Sequence, residues 1–426
     1  MWKLFDRATW QNTKALFYLP DGSGKRENCF GKLQKDRLKN QFERIQRQGD
    51  FNVKRYGNLY ERIYDFENLK KAYKNAKKGK GWYKEVMLID KDPDFYLHQL
   101  QNMLKNHTYH TSEYEVFYKK EGKKTRKIYK LPFFPDRVAQ WAILQIIEPY
   151  IINHLIDDTY SAIPKRGIHA GLQRVQKAMQ TDVKGCQYCL KLDARHYYQS
   201  INHDILKQKY RRLFKDPDLL WILDEIIDSI NTADQEDLIS IYLLDEDVDP
   251  ETGIPIGNYL SQYSGNYYFS DFDHWMKEVK HVKHYFRYMD DIVIFGETKE
   301  ELHRLLEDIR EYFMNNMKLM VKGNYQIFPT YVRGVDYLGY RIFMNYVLLR
   351  KSTCKDMKQK MLTIMDKVSS GNLMNYSEWC SINSYRGWLK SCNSFRLEQK
   401  YIKPLIPHCE RYYETNIKPR KEAIAS

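Results

Sequence analysis

The chain has 426 residues, more than one ordinary core accommodates, so a small disulfide-stapled module is excluded and two or three packed units are expected. Lys and Arg number 69 against 55 Asp and Glu, a net charge of +14, and 15% of residues are aromatic, 35 of them Tyr; positive charge paired with stacking surface suits nucleic acid. Mean hydropathy is -0.69, and apolar runs such as Trp141 to Ile147 are cut by Glu148 and Pro149, which argues against membrane-spanning helices.

Residues 1–52 are polar and weakly patterned, with a turn signal at Asp21-Gly22-Ser23-Gly24, and read as an appended extension. The start, Met1-Trp2-Lys3-Leu4-Phe5-Asp6, lacks the charged-then-apolar pattern of a signal peptide, so a cytoplasmic protein is expected. From Tyr56 to Tyr109 apolar residues recur three or four apart (Leu59, Ile63, Phe66; Leu97, Leu100, Leu104), the period of helices. Lys alternates with Tyr73 across Lys70 to Lys78, the pattern of an RNA-facing helix or of a merely solvated one. Tyr114 to Leu131 reads as two strands around a turn at Lys119 to Lys124. A helix is expected from Asp136 to Asn153 with Asp136 as its N-cap.

Cys189-Leu190-Lys191-Leu192-Asp193 reads as a buried strand ending in a carboxylate, and the acidic stretch between Asp224 and Glu251 as a solvent-facing insertion. His281 to Phe295 reads as a hairpin with Met289-Asp290-Asp291 at its tip. Helical pattern returns over Lys355 to Val368 and Trp379 to Leu389. The seven Cys are scattered, and Cys186 with Cys189 makes at most half a zinc site.

Charge is unevenly spread. Residues 1–200 carry 38 basic and 22 acidic residues, 201–350 carry 17 and 26, and 351–426 carry 14 and 7. Two basic flanks around an acidic middle suit a clamp on phosphates surrounding a site that collects cations.

Adjacent acids in Tyr288-Met289-Asp290-Asp291, between the β-prone runs His284 to Arg287 and Ile292 to Phe295, must lie near the turn, because burial would cost several kcal/mol each. Asp193 supplies a third carboxylate from a second strand. Two divalent ions acting on an in-line displacement need carboxylates from more than one strand, and hard oxygen ligands favour Mg²⁺ or Mn²⁺.

With these motifs in order, the sequence resembles a reverse transcriptase over roughly residues 56 to 415. Carrying the likeness are Pro135-Asp136-Arg137-Val138-Ala139-Gln140, Asp158 to Ala162 leading to Arg166-Gly167-Ile168-His169, the Asp193 strand, Gly253 to Asn258, the Tyr288 to Asp291 box and Arg333 to Tyr340. The resemblance implies an α+β right-hand polymerase: fingers over 53–185, a palm with an antiparallel sheet over 186–348, a helical thumb over 349–412 and a basic tail over 413–426. It implies an RNA-directed DNA polymerase, with Asp193, Asp290 and Asp291 as catalytic residues holding two Mg²⁺, Mn²⁺ being the other hard cation. Tyr198 falls where the family places the aromatic gate against a ribose 2′-OH. Arg126 or Lys127, Lys165 and Arg166, with Ala194, Ile256, Gly257 and Lys322, are implied around the incoming nucleotide. The stretch Leu319 to Ile327 puts Asn324 where the family's pyrophosphate-protonating Lys would fall, and Lys322 is the substitute.

Ile256-Gly257-Asn258-Tyr259-Leu260-Ser261-Gln262 departs from the usual Gln-Gly and Ser-Pro and resembles the diversity-generating retroelement enzymes. That likeness implies error-prone copying at template adenines, with Ile256 and Gln262 as fidelity positions, for mutagenic retrohoming. The partners implied are a template non-coding RNA and its cDNA duplex, deoxynucleoside triphosphates and a small basic accessory variability determinant protein, in a bacterial host cell and without a membrane. An antiviral-defence reverse transcriptase shares the catalysis, and an inert RNA-binding scaffold is the non-enzymatic rival. Past Tyr340 the remaining 86 residues are expected to suffice for a thumb and not for a nuclease domain.

Overall fold

The computed structural model describes residues 54–121, 124–231 and 251–419. The extension 1–52, positions 232–250 of the expected insertion and residues 420–426 lie outside them. The insertion was expected from Asp224, yet residues up to Asp228 belong to the helix Pro217–Asp228, whose Ile222, Leu223, Ile226 and Ile227 are buried.

Helices Tyr60–Tyr64, Phe66–Lys77, Lys84–Ile89 and Pro93–Lys105 occupy the region where the three-to-four spacing predicts them. In Phe66–Lys77 the Asp65 carboxylate caps the Asn68 amide, and Leu69, Ala72, Tyr73 and Ala76 face inward. Lys71, Lys74 and Lys78 stay in solvent, but Tyr73 points into the core and donates its hydroxyl to Asp90 at 2.5 Å. The Tyr of the Lys-rich stretch is therefore a core residue, not a stacking surface.

Strands β1 (Glu115–Glu121) and β2 (Lys124–Lys130) pair antiparallel as a basic hairpin with Phe117 and Tyr118 exposed. The long helix begins at Val138, not Asp136, and runs to Ile152. Asp136 does not cap it: the carboxylate is buried and accepts from Tyr109 Oη (2.8 Å) and the Ser112 amide (3.1 Å). A tertiary demand has taken the side chain that local sequence assigns to the helix end. The helix is apolar nearly all round and buried accordingly, with Val138, Ala142, Ile143, Ile147 and Ile151 enclosed.

At the centre lies a five-stranded sheet ordered β3-β5-β6-β4-β7, built from Thr159–Tyr160, Tyr285–Tyr288, Asp291–Gly296, Tyr188–Asp193 and Gln326–Pro329. β3 runs parallel to β5; the other pairs are antiparallel. β3, from the range expected for the fingers, pairs with β5, from the range expected for the palm. Side chains alternate across the sheet. Leu190, Leu192, Tyr285, Ile292 and Ile294 pack with the N-terminal helices, whereas Cys189, Phe286, Val293 and Phe295 pack with the C-terminal elements. Cys186 and Cys189 are both buried on that second side, and burial pushes the Cys186 thiol up to about 12, so both behave as core residues.

A second sheet of β8 (Val335–Tyr337), β9 (Tyr340–Ile342) and β10 (Val347–Leu349) leads into the helices Lys351–Ser369 and Tyr376–Leu389. Asn375 and Glu378 form a reciprocal capping box on the latter. Gly339 turns between β8 and β9 at φ +82°, and a Cβ there would enter the Trp388 ring. Tyr340 stacks on Trp388 at 5.3 Å and donates to its carbonyl at 3.0 Å. Gly339→Ala is expected to destabilise by about 2–3 kcal/mol, combining left-handed backbone strain with overpacking; a lowered urea midpoint checks it. No helix among the described residues is long and apolar enough to cross a membrane.

Candidate active site

The antiparallel register of β4 and β6 sets Asp193 directly opposite Asp291, and β5 sets Tyr288 opposite Asp291 on its other side. Period-two alternation puts Lys191 and Asp193 on one face of β4 and Asp291 and Val293 on the matching face of β6. The connection from β5 to β6 is the two-residue turn Met289-Asp290, with Met289 at φ +54°. Asp291, expected at the tip, is instead the first strand residue. That shift fixes its side chain by sheet register.

What holds the turn comes from the opposite face. Arg287 is fully buried and donates from Nη1 to the Met289 carbonyl at 3.0 Å, bracing the peptide beside Asp290. Its guanidinium forks onto Asp273, Nε to Oδ1 at 2.7 Å and Nη2 to Oδ2 at 2.5 Å, and also reaches Asn266 Oδ1 at 3.1 Å. Tyr285 donates its hydroxyl to Asp273 at 2.5 Å. Arg287 and Asp273 received no role from sequence. The available signal was an arginine inside an apolar strand, which demands a buried counter-charge.

Burial, with the charges of Asp193 and Asp290 adding, raises the Asp291 carboxyl to about 7, while Lys191 opposes the rise. Asp291 Oδ1 is buried without a hydrogen bond; its ion-pair partner is Lys191 Nζ at 3.3 Å. Lys191 divides its donors, reaching Asp291 Oδ2 at 3.4 Å and the Asp336 carbonyl at 2.6 Å. Sequence reading left Lys191 unassigned as well.

The donor set fits a divalent cation: three hard carboxylates meet at one sheet end, and one buried oxygen, Asp291 Oδ1, makes no hydrogen bond. The three aspartates are not gathered as tightly as His203, Asp228 and Glu251, whose ligand atoms all lie within 4.8 Å of one another.

Residues 320–322 run beside the end of β4: the Lys322 amide donates to the Asp193 carbonyl at 2.9 Å, the Arg195 amide to the Met320 carbonyl at 2.8 Å, and buried Ala194 bridges Val321. This brings Lys322 Nζ to 4.0 Å from Asp193 Oδ2. Tyr198 is half-buried; its hydroxyl lies 3.6 Å from Met289 Sδ, and its carbonyl accepts from the Ile254 amide at 2.8 Å. Half-buried Ile256 accepts from the Tyr129 amide of β2 at 3.4 Å. Gly257 (φ +129°) lies so close to the Tyr129 carbonyl that a Cβ would meet it at 2.9 Å. Thus the β1–β2 hairpin leans on the 256–257 segment.

The remaining expected residues are less closely tied to the carboxylates. Gln262 is exposed on the helix Tyr259–Tyr268. Lys165 is exposed at φ +65°. Arg166 is held to its own loop, donating to the Ile156 carbonyl at 2.9 Å and to Asp157 at 3.1 Å. Lys127 lies over the Tyr129 ring at 5.1 Å, and Arg126 is on β2 with its side chain outside the description.

The family model described as reverse transcriptase (RNA-dependent DNA polymerase) matches residues 118–342. Protein YkfC of Escherichia coli (strain K12) is 22% identical over 262 residues, covering 53% of this chain. The match spans 65% of that relative's length. Among solved structures, Candida albicans telomerase in complex with a fragment of telomeric RNA is 11% identical with a TM-score of 0.43, covering 73% of this chain and 62% of that one. Apo telomerase from Candida tropicalis is also 11% identical, TM-score 0.43, covering 73% and 59%.

Proposed function

This chain belongs to the reverse transcriptase (RNA-dependent DNA polymerase) family, and from that premise we propose that it extends a DNA primer on an RNA template using deoxynucleoside triphosphates. The observation that carries the proposal is Asp193 facing Asp291 across β4 and β6 with Asp290 on the adjoining turn. Two Mg²⁺ held by these aspartates would supply Lewis-acid stabilisation of the attacking and leaving oxygens in an in-line displacement.

The protein's own contribution is placement. Register holds Asp193 and Asp291, and Arg287 holds the turn that carries Asp290. Tyr198, anchored by Ile254 and set against Met289, walls the sugar position and turns away a ribose 2′-OH. Lys322, beside Asp193, keeps a proton for the departing pyrophosphate. Basic fingers and thumb, expected on 53–185 and 349–412, grip template and duplex. The test is incorporation of dTMP on poly(rA) primed with oligo(dT) and supplied with Mg²⁺. Polymerisation is expected, and none by folded protein would overturn the proposal.

We further propose that the enzyme serves a diversity-generating retroelement, copying its template RNA with errors at adenines and working with a small basic accessory protein in the bacterial cytoplasm. Ile256 supports this reading: an aliphatic side chain beside the nascent pair offers none of the hydrogen bonds an amide would. One such bond is worth about 0.5–1.5 kcal/mol, or roughly a 2- to 10-fold change in discrimination. Ile256→Gln is therefore expected to lower misincorporation opposite template adenine by that factor, read by sequencing the cDNA. Equal error in both proteins would remove Ile256 from the account.

A further inference from the structure

His203 is the first residue of the helix His203–Leu213 and is 1% exposed. Its Nε2 lies 2.9 Å from the Gly253 carbonyl, which can only accept, so Nε2 carries the proton of that bond. In the neutral ring Nδ1 then presents a lone pair. Nδ1 is buried and makes no hydrogen bond. It faces Asp228 Oδ1 at 3.4 Å and Glu251 Oε2 at 3.9 Å.

A lone pair aimed at two carboxylates is an arrangement of three electron donors. Both separations exceed the 2.7–3.2 Å of an N–H···O bond, taken as an order-of-magnitude window of about half an ångström. The 3.4 Å to Asp228 suits another geometry, since ligands about 2.0–2.1 Å from a tetrahedral zinc stand about 3.3–3.4 Å from each other, and exposed Glu251 Oε2 at 3.9 Å would close in to join them. The ring is also oriented as metal-ligating histidines are, with its second nitrogen donating to a carbonyl.

We propose that His203 Nδ1, Asp228 and Glu251 bind a divalent transition ion, Zn²⁺ by the chemistry of one imidazole and two carboxylates, separate from the polymerase carboxylates. His203 is the buried wall of the site. Asp228 and Glu251 are its exposed side, 38% and 65% accessible, and admit the ion from solvent. Lys207 Nζ stands 2.5 Å from Asp228 Oδ1 and competes with the ion for that oxygen.

The ion would tie the end of the helix Pro217–Asp228 to Glu251. Beyond Glu251 the backbone pairs with the segment that carries Tyr198: the His203 amide donates to the Glu251 carbonyl (3.1 Å), Gly253 to Ile201 (2.7 Å) and Ile254 to Tyr198 (2.8 Å). Occupancy therefore steadies the segment that enters the Ile256-Gly257 turn.

The experiment is a calorimetric Zn²⁺ titration of metal-stripped full-length protein carrying Asp290→Asn and Asp291→Asn, which disables the polymerase site. One equivalent is expected to bind. Adding Glu251→Gln or Asp228→Asn, both at accessible positions, should weaken binding at least tenfold, and Lys207→Met should strengthen it. Co²⁺ in place of Zn²⁺ should show d–d bands without thiolate charge transfer. No binding, unchanged affinity in Glu251→Gln and Asp228→Asn together, or a thiolate band would overturn the proposal. So would weaker binding by Lys207→Met, since removing a competing ammonium cannot weaken a cation site.

Discussion

Primer extension on RNA is expected to fall by roughly 10²–10³-fold or more when Asp290 and Asp291 are both replaced by Asn, the scale on which removing one preorganised electrostatic group lowers kcat. The fold should survive. Burial first, and then repulsion from Asp193 and Asp290, raise the Asp291 carboxyl to about 7, and one of its buried oxygens makes no hydrogen bond. A neutral amide of the same shape relieves that repulsion, so in the presence of chelator the variant's Tm should equal or exceed that of the parent. Mg²⁺ should stabilise the parent and leave the variant unmoved at this site. Activity retained in the variant would remove these aspartates from catalysis, and joint loss of activity and Tm would mean they act through the fold.

Arg287→Met is expected to cost about 3–5 kcal/mol, because it leaves Asp273 buried without its partner. Denaturant unfolding reads this directly. Asp273→Asn should cost a similar amount by the same logic. Replacing both with apolar residues of matching volume, Arg287→Met with Asp273→Leu, should recover much of the loss. Polymerase activity should not recover with it. The double variant still lacks the Nη1 donor that braces the Met289 carbonyl, so the turn bearing Asp290 loses its support. Recovery of both stability and rate would show that the pair serves the core alone.

The contrast between these predictions marks what was readable in the residues. Asp193, Asp290 and Asp291 were legible because acids at the ends of β-prone runs have few places to go, and a period of two then fixes which face they share. The helices before Tyr109 were legible for the same kind of reason, through three-to-four spacing. Asp136 was misread. Behind Pro135 it has the local signature of an N-cap, and a local rule has no means of knowing that Tyr109 and the Ser112 amide compete for the carboxylate. Lys70 to Lys78 left an RNA-facing helix and a solvated one both open, and neither pattern shows that Tyr73 turns inward to Asp90.

Lys191, Arg287 and Asp273 were visible as letters and silent as chemistry. A charged residue inside a strand states that a partner exists, but not which one: Lys191 finds the Asp336 carbonyl and Asp291, and Arg287 finds an aspartate on a preceding helix. His203, Asp228 and Glu251 are likewise unconnected in the sequence and converge only in space. Composition and charge pointed to nucleic acid and periodicity placed three acids at strand ends, since burial cost and strand alternation act over a few neighbouring residues. The α+β polymerase fold was legible only through the resemblance its ordered motifs carry. The bracing of the turn, the buried Asp291 oxygen without a hydrogen bond and the imidazole facing two carboxylates depended on the packed chain. Their energies are those of desolvated charge, which is set by what folding brings alongside and not by the residues on either side.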